Sequence, residues 1–412
     1  MIKYITGWFV IMLMVYKQVS AQTVFSKYPG NPVMKPGIAF LEDRGIGSPS
    51  VIIVQDTFRM FYAMGGADLK GRIGYAYSID GIHWIKKGAI LEPDAQSPWE
   101  SFFLDTPEII KDQSGYKLYY FADTDNNPVG GSFGVAVSTD LIHWNRVQNT
   151  PILQPGQAGE WDELFIESPS VTYINGMYYM VYSGIDTQWR VRIGLATSTD
   201  GIHWTKYVGN PILEPGNNNQ WDDFSIATPS ILYQTNQFML WYCGVSVADW
   251  TDNQNIDTVK IGYATSLNGI HWLKYDQNPV LNTYSSPYTN FEKRGPWAPD
   301  IVYSSKNNQY LMWYETAYGF GLAIAPDNEQ LKNETFIIYP NPATSGVINI
   351  ISKNRATLFI YNYLGEKILE NTVLQPGYNQ IHLKNLPTGI YFVQMSNPKH
   401  TTIKKIIFIK SQ

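Results

Sequence analysis

Apolar and aromatic residues fall in short runs along this chain, each broken by Gly, Pro, Asp or Asn, and stripes at helical spacing are scarce. Runs such as "FRMFYAMGG" (58–66), "YKLYYFADT" (116–124) and "FMLWYCG" (238–244) are rich in strand-favouring residues and too short for helices. The pattern predicts an all-β protein.

The runs also repeat. A proline opens one strand in "GSPSV" (Pro49), "DTPEI" (Pro107), "ESPSV" (Pro169), "ATPSI" (Pro229) and "WAPDI" (Pro299). An aromatic run follows each. A glycine-led strand comes third, as in "IGYAYS" and "IGLATS", and in four copies it runs into "GIHW" or "LIHW". A last piece, "GAILEP", "TPILQP", "NPILEP" or "NPVLNT", ends the unit. Each unit reads as short strands with a turn-forming Asp/Asn–Gly between the third and fourth in most copies. Such units repeated about an axis make a β-propeller. Five copies of the first three pieces predict five blades. The fifth copy stops after "FGLAIAPDN", while "NPVMKP" (31–36) stands alone near the N-terminus. The chain's start is therefore expected to complete the last blade and close the ring, which removes unpaired edges.

The propeller is expected over 22–328, with a linker at 329–336. Residues 1–21 have the form of a secretory signal: Lys3, an apolar run from Ile5 to Tyr16, and small residues Val19 and Ala21 ahead of a cleavage point. No other segment is expected to span a membrane. Residues 337–412 lack the repeat and alternate apolar and polar like a small β-sandwich. "YPNP", "IYNYLGE", "LPTGIYFVQM" and the basic end "KKIIFIK" closely resemble the C-terminal sorting domain of type IX secretion cargo. That resemblance implies export, removal of the tail, and release or attachment at the cell surface.

Charge narrows the partners. The chain's net charge is −5, but residues 331–412 hold nine Lys/Arg against three Glu, so the body is acidic. An acidic body argues against nucleic acid and leaves neutral sugars open. Cys243 is the only cysteine, so no intrachain disulfide forms. No metal motif, phosphate loop or Ser/His/Asp set is present. No cofactor is expected beyond a structural cation in the central channel.

Positions shared by all copies should be structural, and positions that break the repeat are candidates for function. His83, His143, His203 and His271 precede Trp in one recurring turn and read as hairpin parts. Eight residues before each proline stand Leu41, Trp99, Trp161, Trp221 and Phe291, each followed by an acid (Glu42, Glu100, Asp162, Asp222, Glu292) expected to bond a loop backbone. Two residues before the proline the copies differ: Gly47, Asp105, Glu167, Ala227 and Trp297. One residue after it they read Ser50, Glu108, Ser170, Ser230 and Asp300. If the first strand lines the axis, Asp105 and Glu167 project from neighbouring blades toward one spot, and Trp297 offers a flat face to a sugar ring. Arg44 and Arg294 are expected to share the rim; Asp123, Glu315 and Arg192 break symmetry after the second strand. In the long blade-four loop, Trp250 is expected to form part of one wall.

Carboxylates around a cavity suit glycoside hydrolysis, in which one protonates the leaving oxygen and another activates water or attacks the sugar. Over 22–330 the chain resembles the five-bladed propeller glycosidases of families 43, 32 and 130. By that resemblance, Glu167 in "ESP" is the general acid and Asp105 in "DTP" orients substrate or tunes the acid. The families' blade-one base is an Asp directly before proline, where this chain has Ser48; Asp43 is the nearest substitute. Glu108, Asp300, Trp297, Arg44, Arg294, Glu315, Asp123 and Arg192 are expected to bind substrate. The reading is a secreted glycosidase acting on a polysaccharide or its oligosaccharides. A glycan-binding propeller without catalysis and a family 130-like phosphorylase are the alternatives.

Overall fold

The computed structural model describes residues 25–37, 41–124, 131–248, 259–282, 290–292, 295–327, 336–339, 343, 347–352, 354–383, 386–397 and 401–408. The leader, linker residues 329–335, Trp250 and Arg294 lie outside these, while Phe336, expected in the linker, starts the first strand of the tail. Among the described residues helix is confined to residues 247–248 and a 3-10 turn at Asn290–Glu292. No described helix is long and apolar enough to cross a membrane.

Before the tail, the described residues form five four-stranded antiparallel sheets. Sheet one holds β2 (Gly45–Val54), β3 (Thr57–Gly65), β4 (Gly71–Ser78) and β5 (Ile85–Leu91). Sheet two holds β6 (Phe103–Asp112), β7 (Gly115–Asp123), β8 (Ser132–Ser138) and β9 (Asn145–Arg146). Sheet three is β10 (Phe165–Ile174), β11 (Met177–Ile185), β12 (Val191–Ser198) and β13 (Thr205–Lys206). Sheet four is β14 (Ser225–Gln234), β15 (Gln237–Val245), β16 (Lys260–Ser266) and β17 (Leu273–Lys274). Sheet five runs β18 (Trp297–Ser304), β19 (Gln309–Thr316), β20 (Gly319–Pro326), and its fourth strand is β1 (Ser26–Lys27). The two-residue turns Gln55–Asp56, Asn175–Gly176 and Thr235–Asn236 join first to second strands with φ positive at both positions, as tight hairpins with strand-matched twist require.

The first sheet strand begins with the same irregularity five times. A bulge falls between Gly47 and Ser50, Asp105 and Glu108, Glu167 and Ser170, Ala227 and Ser230, and Trp297 and Asp300. The residue before each proline has positive φ: Ser48 (48°), Thr106 (40°), Ser168 (53°), Thr228 (47°) and Ala298 (41°). Such a conformation is strained for β-branched Thr and persists only where surroundings hold it. A bulge re-aims the side chains around it.

Aromatic and aliphatic side chains fill the seams between neighbouring sheets, including the seam where Met60 and Tyr62 of sheet one meet Trp313 and Phe320 of sheet five. The hairpin tryptophans staple these seams from the next sheet. Trp144 lies edge-on to Phe61, Trp204 to Tyr119 and Trp84 to Trp313. Sheet five has no such tryptophan of its own. Phe25 stands edge-on to Trp241 instead, with centroids 6.3 Å apart. The reason is visible in the chain: "FSKYPGNPVMKPG" (25–37) copies "WTKYVGNPILEPG" (204–216) position for position. The strand proper is Ser26–Lys27, just upstream of the expected "NPVMKP", which adds a single bridge from Met34 to Phe320. Asn31 Oδ1 accepts from Leu322 N at 2.8 Å, as Asn210 does from Leu195 N at 2.9 Å.

The acids expected to bond loop backbones are held chiefly by side chains instead. Glu42, Glu100, Asp162, Asp222 and Glu292 each pair with a cation from the fourth strand: Lys86, Arg146, Lys206, Lys274 and Lys27. Glu42 also accepts from Gly37 N.

In the tail, β21 (Phe336–Tyr339), β22 (Val347–Ser352) and β25 (Gly377–His382) form a three-stranded sheet. β24 (Lys367–Leu374), β23 (Ala356–Asn362), β26 (Gly389–Ser396) and β27 (Thr401–Phe408) form a four-stranded one. Ile348 and Ile350 of one share a buried core with Leu358, Val393 and Ile406 of the other, a small sandwich.

Phe25 is 6% exposed and anchors a two-residue strand. Phe25→Ala is expected to cost about 3–5 kcal/mol, the range for truncating a buried aromatic. Denaturant unfolding followed by tryptophan fluorescence measures it.

Candidate active site

The start of each first strand and the loops between second and third strands lie at the same end of the sheets, because Gly45 pairs Gly65 and Phe165 pairs Ile185. At that mouth the bulges bring together residues from different sheets. Asp105 and Glu167, from sheets two and three, lie close enough for the charge of Asp105 to raise Glu167. Asp105 also raises Glu315, which comes from β19 of sheet five. All three are part-buried.

Their environments differ. Glu167 is pushed up to about 7 by burial and then by the Asp105 charge. Among the described residues no N–H group donates to it. Glu315 is also pushed up to about 7, first by burial, against the Ser48 N–H that donates to its Oε2 at 2.8 Å. Asp105 is raised by burial, while the Thr106 N–H at 2.6 Å and the Ser48 hydroxyl favour its charged form. Neighbouring carboxylates raised in this way can hold a proton near neutral pH, as acid–base chemistry requires.

Below the mouth sit Glu108 and Asp300. Both are buried, and both are committed to the scaffold. Glu108 accepts from Val171 N at 2.7 Å and from the hydroxyls of Ser50 and Ser170, each at 3.0 Å. Asp300 accepts from Val51 N at 2.9 Å. Burial raises both, and the Glu108 charge raises Asp300 further. A cavity of about 30 Å³ lined by both acids and the five prolines opens toward the mouth. A second, of about 310 Å³, continues inward past Val51, Val171, Ile231 and Ile301. Another cavity, of about 390 Å³, lies elsewhere, between the β2–β3 and β18–β19 hairpins at the other end of the sheets. Its walls are mainly apolar, and the three raised mouth carboxylates are not in it.

The remaining sequence candidates are placed as follows. Trp297 is part-buried and pairs across the sheet with Glu315. Asp123, raised by burial, ends β7 and accepts from Thr124 N. Arg192 is held by Asp186 at 2.6 Å and by the Trp161 carbonyl, under the Trp161 ring. Asp43 and Arg44 are exposed on the turn before β2. The recurring histidines are exposed turn parts: His83, His143 and His203 each bond a turn aspartate through Nδ1 at 2.7 Å. Cys243 is buried. No group of three or more His, Cys, Asp or Glu among the described residues is arranged to hold a metal ion. Sequence reasoning missed Trp189, an exposed aromatic with φ +61° beside Phe165 on the sheet-three mouth loop. Its signal was present, since of the loops between second and third strands only this one and the sheet-four loop, with Trp250, hold a tryptophan.

All-β architecture and repeated four-stranded sheets give the class of fold: it is similar to the propeller-like folds of solved GH130 and family 43 glycoside hydrolases. Residues 95–241 match the glycosyl hydrolases family 43 model, and residues 337–410 match the model of a secretion system C-terminal sorting domain. Asp105 and Glu167 both lie within the first match. The second indicates secretion through the type IX route to the cell surface or beyond. An uncharacterized protein of Mycobacterium tuberculosis (strain ATCC 25618 / H37Rv) is 24% identical over 270 residues, covering 60% of this chain and 86% of its own. A 1,2-beta-oligomannan phosphorylase of Thermoanaerobacter sp. (strain X514) is 24% identical over 211 residues, covering 50% of this chain and 64% of its own. One similar solved structure belongs to the GH130 family of mannoside phosphorylases, described as containing glycoside hydrolases that target beta-1,2 mannosidic linkages in Candida mannan. It aligns with a TM-score of 0.60 and 20% identity over 74% of this chain and 94% of that one.

The buried pair has a consequence for stability. Glu108 and Asp300 bind protons more tightly folded than unfolded. Their contribution is full below the ordinary carboxylate range and is lost as pH rises through their raised folded values. The melting temperature is expected to fall between about pH 5 and about pH 8, and Glu108→Gln with Asp300→Asn to shrink that fall. Scanning calorimetry across the range checks it.

Proposed function

We propose that the protein is an exported glycoside hydrolase whose catalytic centre is the carboxylate cluster at the mouth of a five-bladed propeller. The five sheets are its blades, and β1 closes the ring by completing the fifth. The pairing of β1 with β20 and the packed seam between sheets five and one support that closure. Residues 1–21 act as the leader, 22–328 as the propeller, 329–335 as the linker and 336–412 as the removable sorting domain.

The observation that carries the reading is that Asp105 lies within electrostatic reach of both Glu167 and Glu315 at one mouth. Glu167 is the general acid. Burial and the Asp105 charge both hold its proton on, and no described N–H donor favours its ionised form. Asp105 tunes that acid and orients substrate. Trp297 supplies an apolar face for a sugar ring. Names carried by two similar proteins concern β-1,2-linked mannose, so β-1,2-mannooligosaccharides are the first probes.

Phosphorolysis is the second reading, favoured by the relative named a phosphorylase. It needs cations for phosphate: among the described residues Arg192 is tied to Asp186, while Arg44 is exposed on the turn before β2.

Glu167→Gln is expected to lower kcat by about 10²- to 10⁴-fold while glycan binding survives. In the wild type, kcat/KM should fall as pH rises past about 7, where Glu167 loses its proton. Reducing-end release from a glycan panel, with and without phosphate, reads both. Phosphate dependence would favour phosphorolysis, and binding without turnover would leave a glycan-binding propeller.

A further inference from the structure

Two departures from the repeat fit each other. At the position that carries Asp105 in sheet two and Glu167 in sheet three, sheet one has Gly47. Across the second strands, the residues in register with that position are Ala63, Phe121, Ser183, Cys243 and, in sheet five, Glu315. Only sheet five places an acid there. Glu315 does not stay over its own sheet. Its Oε2 takes the Ser48 N–H at 2.8 Å, on the sheet-one strand. A Cβ built on Gly47 would stand 2.7 Å from that oxygen. The space a side chain at residue 47 would fill is occupied by the Glu315 carboxylate. Sheet five thus delivers to sheet one's place an acid that sheet one lacks.

We propose that Glu315 is the general base of the reaction, supplied across the seam between sheets five and one, with Gly47 as the residue that admits it. The assignment rests on the glycoside-hydrolase reading above. Glu315 accepts a proton from water as the water oxygen bonds to the anomeric carbon. The glycosidic C–O bond breaks, and its oxygen leaves with the proton of Glu167. One water is consumed, and the two carboxyls end with their protons exchanged, to be reset through solvent. The roles follow from the hydrogen bonds. The Ser48 N–H favours ionised Glu315, and Glu167 has no comparable donor among the described residues. Asp43, exposed on the turn before β2, has no such placement.

The test uses the full chain and a panel of 4-nitrophenyl and 2,4-dinitrophenyl glycosides. Glu315→Gln is expected to lose about 10²- to 10⁴-fold in kcat on both leaving groups, because the base is needed whatever departs. Glu167→Gln should regain most activity on the 2,4-dinitrophenyl glycosides, which need no acid. Azide should restore turnover to Glu315→Ala and yield a glycosyl azide. Gly47→Ala, which keeps every carboxylate but crowds Glu315, should lower kcat with little change in KM. Glu315→Gln within tenfold of wild type, or a loss that azide leaves untouched and that tracks a fall in melting temperature, overturns the assignment and leaves the hydrolase reading standing. A wild type inert on the whole panel and on β-1,2-mannooligosaccharides overturns both.

Discussion

Each first strand is tied to the next by the side chain that follows its proline. Ser50 takes the Ile109 N–H, Glu108 that of Val171, Ser170 that of Ile231, Ser230 that of Ile301, and Asp300 that of Val51. Every link joins a side chain of one sheet to the backbone of its neighbour, and every one is buried. A buried N–H without a partner costs more than a typical bond contributes, so each of these positions must carry an acceptor. Serine and carboxylate meet that need; an aliphatic residue does not. The relay fixes the strands' relative height, since a slip of one residue would turn the acceptor away.

The mouth depends on this relay. The bulge and the positive φ before proline sit between the relay acceptor and the residue two before the proline. Fixing the acceptor therefore fixes where Asp105 and Glu167 point. Strain in Thr106 and Thr228 is held by the same bonds. The scaffold's regularity and the site's irregularity occupy adjacent positions on one strand: the first must recur, the second is free to vary.

Much of this was legible in the chain. The prolines, glycine-led strands and "GIHW" turns gave sheet number and order, because each piece has a local physical cause. The meeting of Asp105 and Glu167 was legible too, since both occupy the same repeat position. What escaped was whatever crosses a seam. Glu315 belongs by sequence to sheet five but bonds the Ser48 backbone of sheet one, and the spacing along one chain does not report which neighbouring strand a long side chain leans toward. Glu108 and Asp300 line the inner cavity and also bond Val171, Val51 and two serines of neighbouring sheets, which spacing along the chain does not report. The ion pairs of Lys27, Lys86, Arg146, Lys206 and Lys274 were hidden for a similar reason, being separated from their acids by loops or by most of the chain.

The pairing of Ser26 with Ile324 joins residues that leave the ribosome far apart in time. Sheet five cannot gain its outer strand, nor Trp241 its staple, from any nearby segment. Contacts of such separation form slowly, because the whole intervening chain must be ordered first. The last of the repeated sheets is therefore completed only once β20 is made, so a contact between the two ends of the repeat is left to the end of folding.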